Sequence, residues 1–180
     1  MSAITRPHTT IPSGLDIAEL KGHILRCGQL GGFLTQSLIE PSELLVKKCD
    51  VFVPAAIERV ITSENASELK CRILAEGADG PTTPEADAIL HRRGDDIFVL
   101  PDILCNAGGV IVSYFEWVQD LQRLFWGEAE VFDRLCRILE RSFQQTRARA
   151  RRDRISHRMA AMAIGVSAVQ SAKRTSGLFP

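Results

Sequence analysis

Two glycine-bearing loops, each placed where an apolar run ends, constrain the fold of this chain more than any other feature. The first loop covers residues 75–86 and follows the apolar run at 71–74. The second covers residues 101–109 and follows the apolar run at 97–100. In open α/β sheets, ligands bind in the crevice beyond the carboxyl ends of the strands. We therefore predict that the two loops form two walls of one small-molecule site.

The apolar runs alternate with segments that have helical character. Residues 50–54, 72–75 and 96–100 are short and apolar, which is typical of buried parallel strands. This alternation predicts an α/β fold with a parallel sheet and right-handed crossovers. Three strands are few for such a sheet, so we expect a hydrophobic strand edge that invites aggregation or a partner.

Helices are predicted from their capping residues and apolar spacing. Asp16 is placed to cap a helix that ends near Gly28, and Thr83 followed by Pro84 is placed to begin another. Thr82 offers an alternative capping box for that second helix. Further helices are expected at 41–45, within 66–70, at 84–92, and from residue 110 to the end.

Charge and composition exclude several classes of protein. The formal net charge of the 180 residues is +0, so no whole-chain field favours nucleic acid or a membrane surface. No apolar stretch approaches the roughly 20 residues that a membrane-spanning helix needs. Residues 1–12 lack the layout of a signal peptide, so a cytoplasmic protein is expected. An arginine-rich segment at 147–158 has no interleaved aromatic residues, which favours a solvated helix end or a helix junction over a nucleic-acid site.

The cysteines and histidines are scattered. Five cysteines, never in a CxxC pair, support neither a disulfide framework nor a zinc site, and we expect reduced thiols in the core. Cys105 differs from the other four cysteines because it lies inside the second loop. The four histidines form no spaced set with carboxylates, so no metal site is predicted.

Both loops resemble those of a known enzyme family. The first reads EGADGPTTPEA at residues 76–86, and the second reads NAGG at 106–109 and leads into VSYFEW at 112–117. These sequence segments resemble the carboxy-terminal, dinucleotide-binding part of the glutamate, leucine, phenylalanine and valine dehydrogenase family. They are most similar to the glutamate dehydrogenases. The resemblance is densest from residue 49 to residue 121. It implies an incomplete Rossmann-like, doubly wound parallel sheet followed by C-terminal helices.

The resemblance also implies a domain arrangement. Residues 14–180 correspond to a partial NAD(P)-binding domain with a C-terminal helical segment. Residues 1–13 match nothing in the family and are expected to be a disordered leader. The family's substrate domain, its catalytic lysine and its pyrophosphate loop have no counterpart in these residues, so no catalytic residue is assigned to this chain.

The resemblance assigns binding roles to eight residues. The nicotinamide cofactor, NAD or NADP, is expected to contact Ala55, Ala56, Gly77, Asp79, Asn106 and Gly108. The substrate is expected to contact Val110 and Ser113, with Ser113 bonded to the side-chain carboxylate of glutamate.

The residues alone leave other interpretations open. The first loop could be a well-capped turn without a ligand, the small side chains at 55–56 could serve tight packing, and Ser113 could face solvent or bond its own helix. The family normally has asparagine at position 79 and alanine at position 105. Ionised aspartate only accepts hydrogen bonds, so Asp79 puts full cofactor affinity in doubt.

These inferences predict part of a glutamate dehydrogenase, which converts L-glutamate to 2-oxoglutarate and ammonia with hydride transfer to NAD or NADP. The partners expected are that substrate and either further copies of the chain or a polypeptide that supplies the amino-terminal half. The isolated chain is expected to be inactive. The alternative is a non-catalytic remnant or split subunit that associates with dehydrogenase subunits. The choice between NAD and NADP stays open.

Overall fold

The computed structural model describes residues 8–9, 15–29, 31–33 and 38–176. Strand β1 (His8–Thr9) pairs antiparallel with β2 (Leu38–Ile39), and helix α1 (Ile17–Cys27) lies between them in the chain. Residues 8 and 9 thus depart from the disordered leader that the sequence predicts, while positions 1–7 and 10–13 of that leader lie outside the described residues.

Helix α1 begins and ends where its capping residues predict. The Asp16 carboxylate accepts a hydrogen bond from the Glu19 backbone N–H at 3.0 Å. Gly28 ends the helix with φ 68°, a left-handed conformation that glycine adopts without a steric penalty. The short helix α2 (Pro41–Leu45) follows β2 and delivers the chain to the main sheet.

The main sheet has three parallel strands. They are β3 (Cys49–Phe52), β4 (Cys71–Ala75) and β5 (Phe98–Leu100), in the spatial order β3-β4-β5. Parallel pairing sets Val51 opposite Ile73 and Leu74 opposite Val99. The predicted α/β fold with a parallel sheet is confirmed.

Helix α3 (Pro84–Arg92) crosses between β4 and β5. Thr83 is its N-cap, since Oγ1 accepts a hydrogen bond from the Ala86 N–H at 3.3 Å. The segment predicted as a helix within 66–70 is a 3₁₀ turn at Ala66–Glu68. A second 3₁₀ turn at Gly94–Asp96 leads into β5.

The described chain after β5 forms four helices: α4 (Asp102–Cys105), α5 (Gly108–Gln122), α6 (Glu128–Asp153) and α7 (His157–Ser176). In this part of the chain, helix is predicted only from residue 110 onward, so α4 is an additional helix within the second loop. The breaks after α5 and α6 occur at Arg123 and Arg154, whose φ angles of 53° and 55° are left-handed. Neither position is a glycine, so the sequence does not mark the exact residues at which α5 and α6 end, although Gly127 precedes α6 and a helix end or junction is predicted within 147–158.

A small hydrophobic core lies between the sheet and α3. Its buried members come from the segment after β3, from β4, from α3 and from the residue before β5, and comprise Ile61, Ala66, Leu69, Cys71, Leu74, Ala86, Leu90 and Ile97. The segment after β3 is tied to the first loop, because the Ile61 N–H donates to the Pro81 carbonyl and the Thr83 N–H donates to the Ile61 carbonyl, each at 2.9 Å.

Apolar surface remains uncovered on β3 and on the C-terminal helices. Among the residues that the structure describes, β3 pairs only with β4, and the side chains of Val51 and Val53 are each 52% exposed. Helix α7 packs small residues inward, with Ala160 and Ala161 buried. No helix in the described part of the chain is long and apolar enough to cross a membrane.

The prediction of core thiols is wrong for most cysteines. Cys71 is buried and Cys49 is partly buried, but the remaining three, Cys27, Cys105 and Cys136, are exposed. Cys27 is the last residue of α1 and Cys136 lies at a solvent-exposed position of α6. Cys105 is the last residue of the short helix α4.

Candidate functional site

A cleft of about 770 Å³ opens at the carboxyl ends of the strands. It is lined by six residues that the sequence predicts, Ala55, Ala56, Gly77, Asp79, Asn106 and Val110, together with Ile57, Glu58, Ala78, Ile103 and Ala107. Its position is that expected for a ligand site in an open α/β sheet, and its size is that of a small-molecule site.

Hydrogen bonds beyond the strands hold the loops of the cleft together. The Ala78 N–H donates to the Pro54 carbonyl at 2.8 Å, and the Glu76 N–H donates to the Leu100 carbonyl at 3.0 Å. These bonds continue the sheet past the ends of β3, β4 and β5. The segments that follow β3 and β4 and line the cleft are therefore hydrogen-bonded to the neighbouring strand ends.

Gly77 has a packing reason to be glycine. A Cβ built there would lie 3.2 Å from the Ala55 Cβ and 3.3 Å from the Val53 Cγ1. The φ of Gly77 is not left-handed, whereas that of Gly80 is, at 53°. At Gly77 the close neighbour is thus the adjoining strand end, and Ala55 and Gly77 are small in part because they face each other.

The two loops meet through Asp79 and Asn106. The Asn106 side-chain N–H₂ group donates to the Asp79 carboxylate. Because a carboxylate only accepts, this contact fixes which end of the carboxamide faces Asp79. The Asn106 carbonyl oxygen is the end left to accept a hydrogen bond from a ligand.

Behind the cleft lies a cluster of charged residues that sequence reasoning missed. Glu76 is fully buried and accepts from the Thr82 hydroxyl at 2.6 Å and from the Asp102 N–H at 2.9 Å. Thr82 is therefore committed to Glu76, and Thr83 rather than Thr82 caps α3. The Asp102 Oδ2 in turn accepts from the Gly80 N–H at 2.9 Å.

Arg158, at the start of α7, supplies a positive charge that the carboxylates of this cluster share. Its guanidinium contacts Glu76 at 2.6 Å, Asp102 at 2.9 Å and Asp87 at 3.0 Å. Burial lowers the pKa of Arg158, but hydrogen bonds and charge from Glu76 and Asp87 outweigh it, so the net pKa is raised. The arginine-rich segment is a helix junction, as predicted, yet this member of it is largely buried. No spacing rule could have identified it, because its partners lie 56 to 82 positions earlier.

Helix α5 carries the remaining predicted residues. Val110 lines the cleft and is 70% exposed, while Ser113 lies one turn further along and is also exposed. Residues three apart lie on the same face of a helix. Ser113 therefore lies on the same face of α5 as Val110, one turn further from the cleft. Gly108 begins α5, and neither Gly108 nor Ser113 is a lining residue.

Cys105 lies beside the cleft without lining it. Burial raises the pKa of its thiol, and the negative charge of Glu76 raises it further, so the thiol is protonated at neutral pH. Within the described residues, no three His, Cys, Asp or Glu side chains gather into a group that could hold a metal ion.

Comparisons with known proteins agree with this geometry. The chain is 41% identical over 169 residues to a glutamate dehydrogenase of Thermotoga maritima, an alignment covering 94% of this chain and 40% of that protein. The structure superimposes on the hetero-hexameric glutamate dehydrogenase of Thermus thermophilus (Leu-bound form) with a TM-score of 0.84 and 32% identity, covering 96% of this chain and 40% of that one.

A second solved structure gives the same result. The glutamate dehydrogenase of Peptoniphilus asaccharolyticus has a TM-score of 0.73 and 32% identity, covering 92% of this chain and 36% of that one. The 180 residues thus span about two fifths of the length of the relatives they match. The family model for glutamate/leucine/phenylalanine/valine dehydrogenases matches residues 8–177. Sheet, cleft and sequence agree that this chain belongs to the glutamate/leucine/phenylalanine/valine dehydrogenase family.

Proposed function

We propose that this chain supplies the nicotinamide end of the NAD(P) site in a glutamate dehydrogenase. The complete enzyme would convert L-glutamate to 2-oxoglutarate and ammonia, with hydride transfer to NAD or NADP. The observation that carries the proposal is the cleft, in which a floor of small residues and one oriented carboxamide lie at the ends of parallel strands.

The lining of the cleft suits a nicotinamide ring. Ala55, Ala56 and Gly77 leave a surface without bulky side chains, against which a flat ring can lie. The Asn106 carbonyl oxygen can accept a hydrogen bond from the N–H₂ of the nicotinamide carboxamide. Among the residues that the structure describes, no basic side chain lines the cleft, whereas Glu58 and Asp79 are acidic. This charge favours the cationic ring of the oxidised cofactor over its anionic diphosphate.

Bound cofactor would supply the hydride acceptor, and the chain's own residues would supply orientation. In this proposal Asn106 fixes the rotation of the ring, and the alanines set its depth. Gly108 contributes through the start of α5, whose first backbone N–H groups have no partner within the helix.

The substrate-binding roles of Val110 and Ser113 belong to the same proposal. Val110 would contact the substrate at the edge of the cleft. The exposed Ser113 hydroxyl would donate a hydrogen bond to the side-chain carboxylate of glutamate, beyond the cofactor cleft. A polypeptide segment facing α5 would have to complete this part of the site, consistent with the open position of Ser113.

Residues 14–180 are proposed as a cofactor-binding domain with a C-terminal helical segment, and the leader predicted at 1–13 is proposed to be shorter, since β1 and the family match both begin at residue 8. Since the chain spans about two fifths of its relatives' length, turnover is proposed to need further polypeptide and assembly into an oligomer. We expect no glutamate oxidation by the 180-residue polypeptide alone.

The test is a calorimetric titration of the 180-residue chain with NAD⁺, NADH, NADP⁺ and NADPH. We expect saturable binding that Asn106→Ala weakens at least tenfold. The matched control is Gln144→Ala, which removes an exposed carboxamide on α6. Absence of saturable binding by all four nucleotides, or equal binding by Asn106→Ala, would contradict the cofactor role.

A second candidate function is favoured by the open edge of β3, where Val51 and Val53 are half exposed. The chain could act as a non-catalytic remnant or a split subunit that pairs with dehydrogenase subunits through this edge. Co-purification with a larger dehydrogenase would support that function, and a monodisperse, stable monomer would argue against it. Activity recovered on mixing with a separate amino-terminal chain would identify a split subunit.

A further inference from the structure

Arg158 contacts carboxylates from three separate parts of the fold. Glu76 follows β4, Asp102 begins α4 in the second loop, and Asp87 lies on α3. We propose that Arg158 is a positioning residue that sets the separation of the two loops of the cleft from behind. In its bearing on the cofactor, this inference rests on the proposed function.

The geometry of the guanidinium matches this role. One terminal nitrogen reaches both oxygens of Glu76, at 2.6 and 2.7 Å, the other reaches Asp102 at 2.9 Å, and Nε reaches Asp87 at 3.0 Å. A planar guanidinium holds its N–H donors in a fixed fork, so the three carboxylates are held at set directions from one another. Lysine carries the charge but cannot reproduce that fork.

Two of these carboxylates hold backbone groups of the cleft loops. Glu76 accepts from the Asp102 N–H, and Asp102 accepts from the Gly80 N–H, each at 2.9 Å. The two bonds join the loop after β4 to the loop after β5. Any movement of either carboxylate is therefore transmitted to the loops that carry Asp79 and Asn106.

Charge makes the cluster dependent on Arg158. The side chain of Glu76 is completely buried and those of Asp87 and Asp102 are about one fifth exposed, so water screens their repulsion poorly. Without the arginine, three negative groups would lie together in a poorly hydrated space. Glu76 and Asp102 would then separate, and the loops would move apart with them.

The fold also allows the loops to loosen without general unfolding. The hydrophobic core is formed by residues 61–97 and does not include Arg158. Helix α7 has its own packing through Ala160 and Ala161, both buried. Removing the guanidinium should therefore affect the cleft loops more than the sheet.

Amide hydrogen exchange measured by NMR on the full 180-residue chain tests this directly. We expect Arg158→Met to lower the protection of the Gly80 and Asp102 amides at least tenfold, and Arg158→Lys to lower it less. The amides of β4 should keep their protection. Arg174→Met is the matched control, since it makes the same change at an exposed position of the same helix. It should leave the protection of both loop amides as in the unsubstituted chain.

Two outcomes would overturn the proposal: unchanged protection of Gly80 and Asp102 in both Arg158 variants, or an equal loss of protection along the whole chain, which would indicate a general structural role. Arg158→Lys keeps the test decisive if Arg158→Met does not fold. A parallel NADH titration separates the two proposals. If the unsubstituted chain binds no NADH while the loop amides respond, the cofactor role fails and the loop-positioning role stands.

Discussion

The side chain of Asn106 donates a hydrogen bond to the carboxylate of Asp79 and so joins the two loops that line the cleft. The contact spans 27 positions in sequence and connects two residues that were each predicted to contact the cofactor. An acidic residue beside the proposed nicotinamide site has a direct consequence for cofactor affinity.

Asp79→Asn should bind NADH about twofold to fivefold more tightly than the unsubstituted chain, because it removes a negative charge near an anionic dinucleotide. The gain should be smaller for NAD⁺, since its cationic ring is favoured by the charge that is lost. Calorimetric titration measures both. Asp50→Asn, on the exposed face of β3, is the control and should change neither affinity. Weaker NADH binding by Asp79→Asn would show that the carboxylate assists the cofactor.

Ser113→Ala should raise the KM for glutamate about tenfold or more in a full-length enzyme carrying these residues, because a hydrogen bond to a charged group is lost. Cofactor affinity should not change, since Ser113 does not line the cleft. Steady-state kinetics with glutamate and cofactor varied separately distinguishes the two effects. Ser167→Ala on α7 is the control, because Ser167 bonds only its own helix among the contacts described. An unchanged KM would remove Ser113 from the substrate site.

Gly77→Ala should lower the free energy of unfolding by about 1–3 kcal/mol, since its Cβ would press on the Ala55 and Val53 side chains. Urea denaturation gives the value. Gly165→Ala on α7 has nothing within 4 Å of its added Cβ and should raise stability by about 0.5–1 kcal/mol. Equal effects at the two positions would contradict the close packing described at Gly77.

His157 should make stability depend on pH. Burial lowers its pKa below the ordinary value, and the positive charges of Arg147 and Arg151 lower it further. The unfolded chain then binds a proton more readily than the folded chain, so this contribution is present above the unfolded pKa and is lost as pH falls through the folded pKa. We expect the free energy of unfolding to decrease as the pH falls below about 6.5, the ordinary pKa of histidine.

His157→Gln should reduce that slope, which urea denaturation at a series of pH values would measure. His91→Gln, an exposed change on α3, is the matched control and should retain the slope of the unsubstituted chain. If His157→Gln and the unsubstituted chain have the same slope, the depressed pKa of His157 is not the cause.

Local chemistry in the sequence was sufficient to predict much of the fold. Asp16 and Thr83 cap the helices they were expected to cap, because each carries its acceptor within three residues of the amide it bonds. The apolar runs became parallel strands, and residues that follow different strands met at one edge because parallel strands end together.

What escaped prediction depends on distant partners or on a conformation without a residue signature. Arg158 looked like one member of an arginine-rich helix end, since nothing near it in sequence identifies Glu76 as its partner. Arg123 and Arg154 adopt left-handed φ angles that usually belong to glycine, so the exact ends of α5 and α6 could not be located from the sequence. The exposure of Cys105 depends on the short helix α4, which was not predicted.

The cluster behind the cleft also has a consequence for the order in which the protein is made. Glu76, Asp87 and Asp102 are all synthesised before Arg158, and the contact between Glu76 and Arg158 closes a chain segment of 82 positions. During translation the three carboxylates can therefore pair with Arg158 only after the start of α7 has left the ribosome. The sheet can form from residues already available, whereas the final spacing of the cleft loops is reached only after Arg158 has been synthesised.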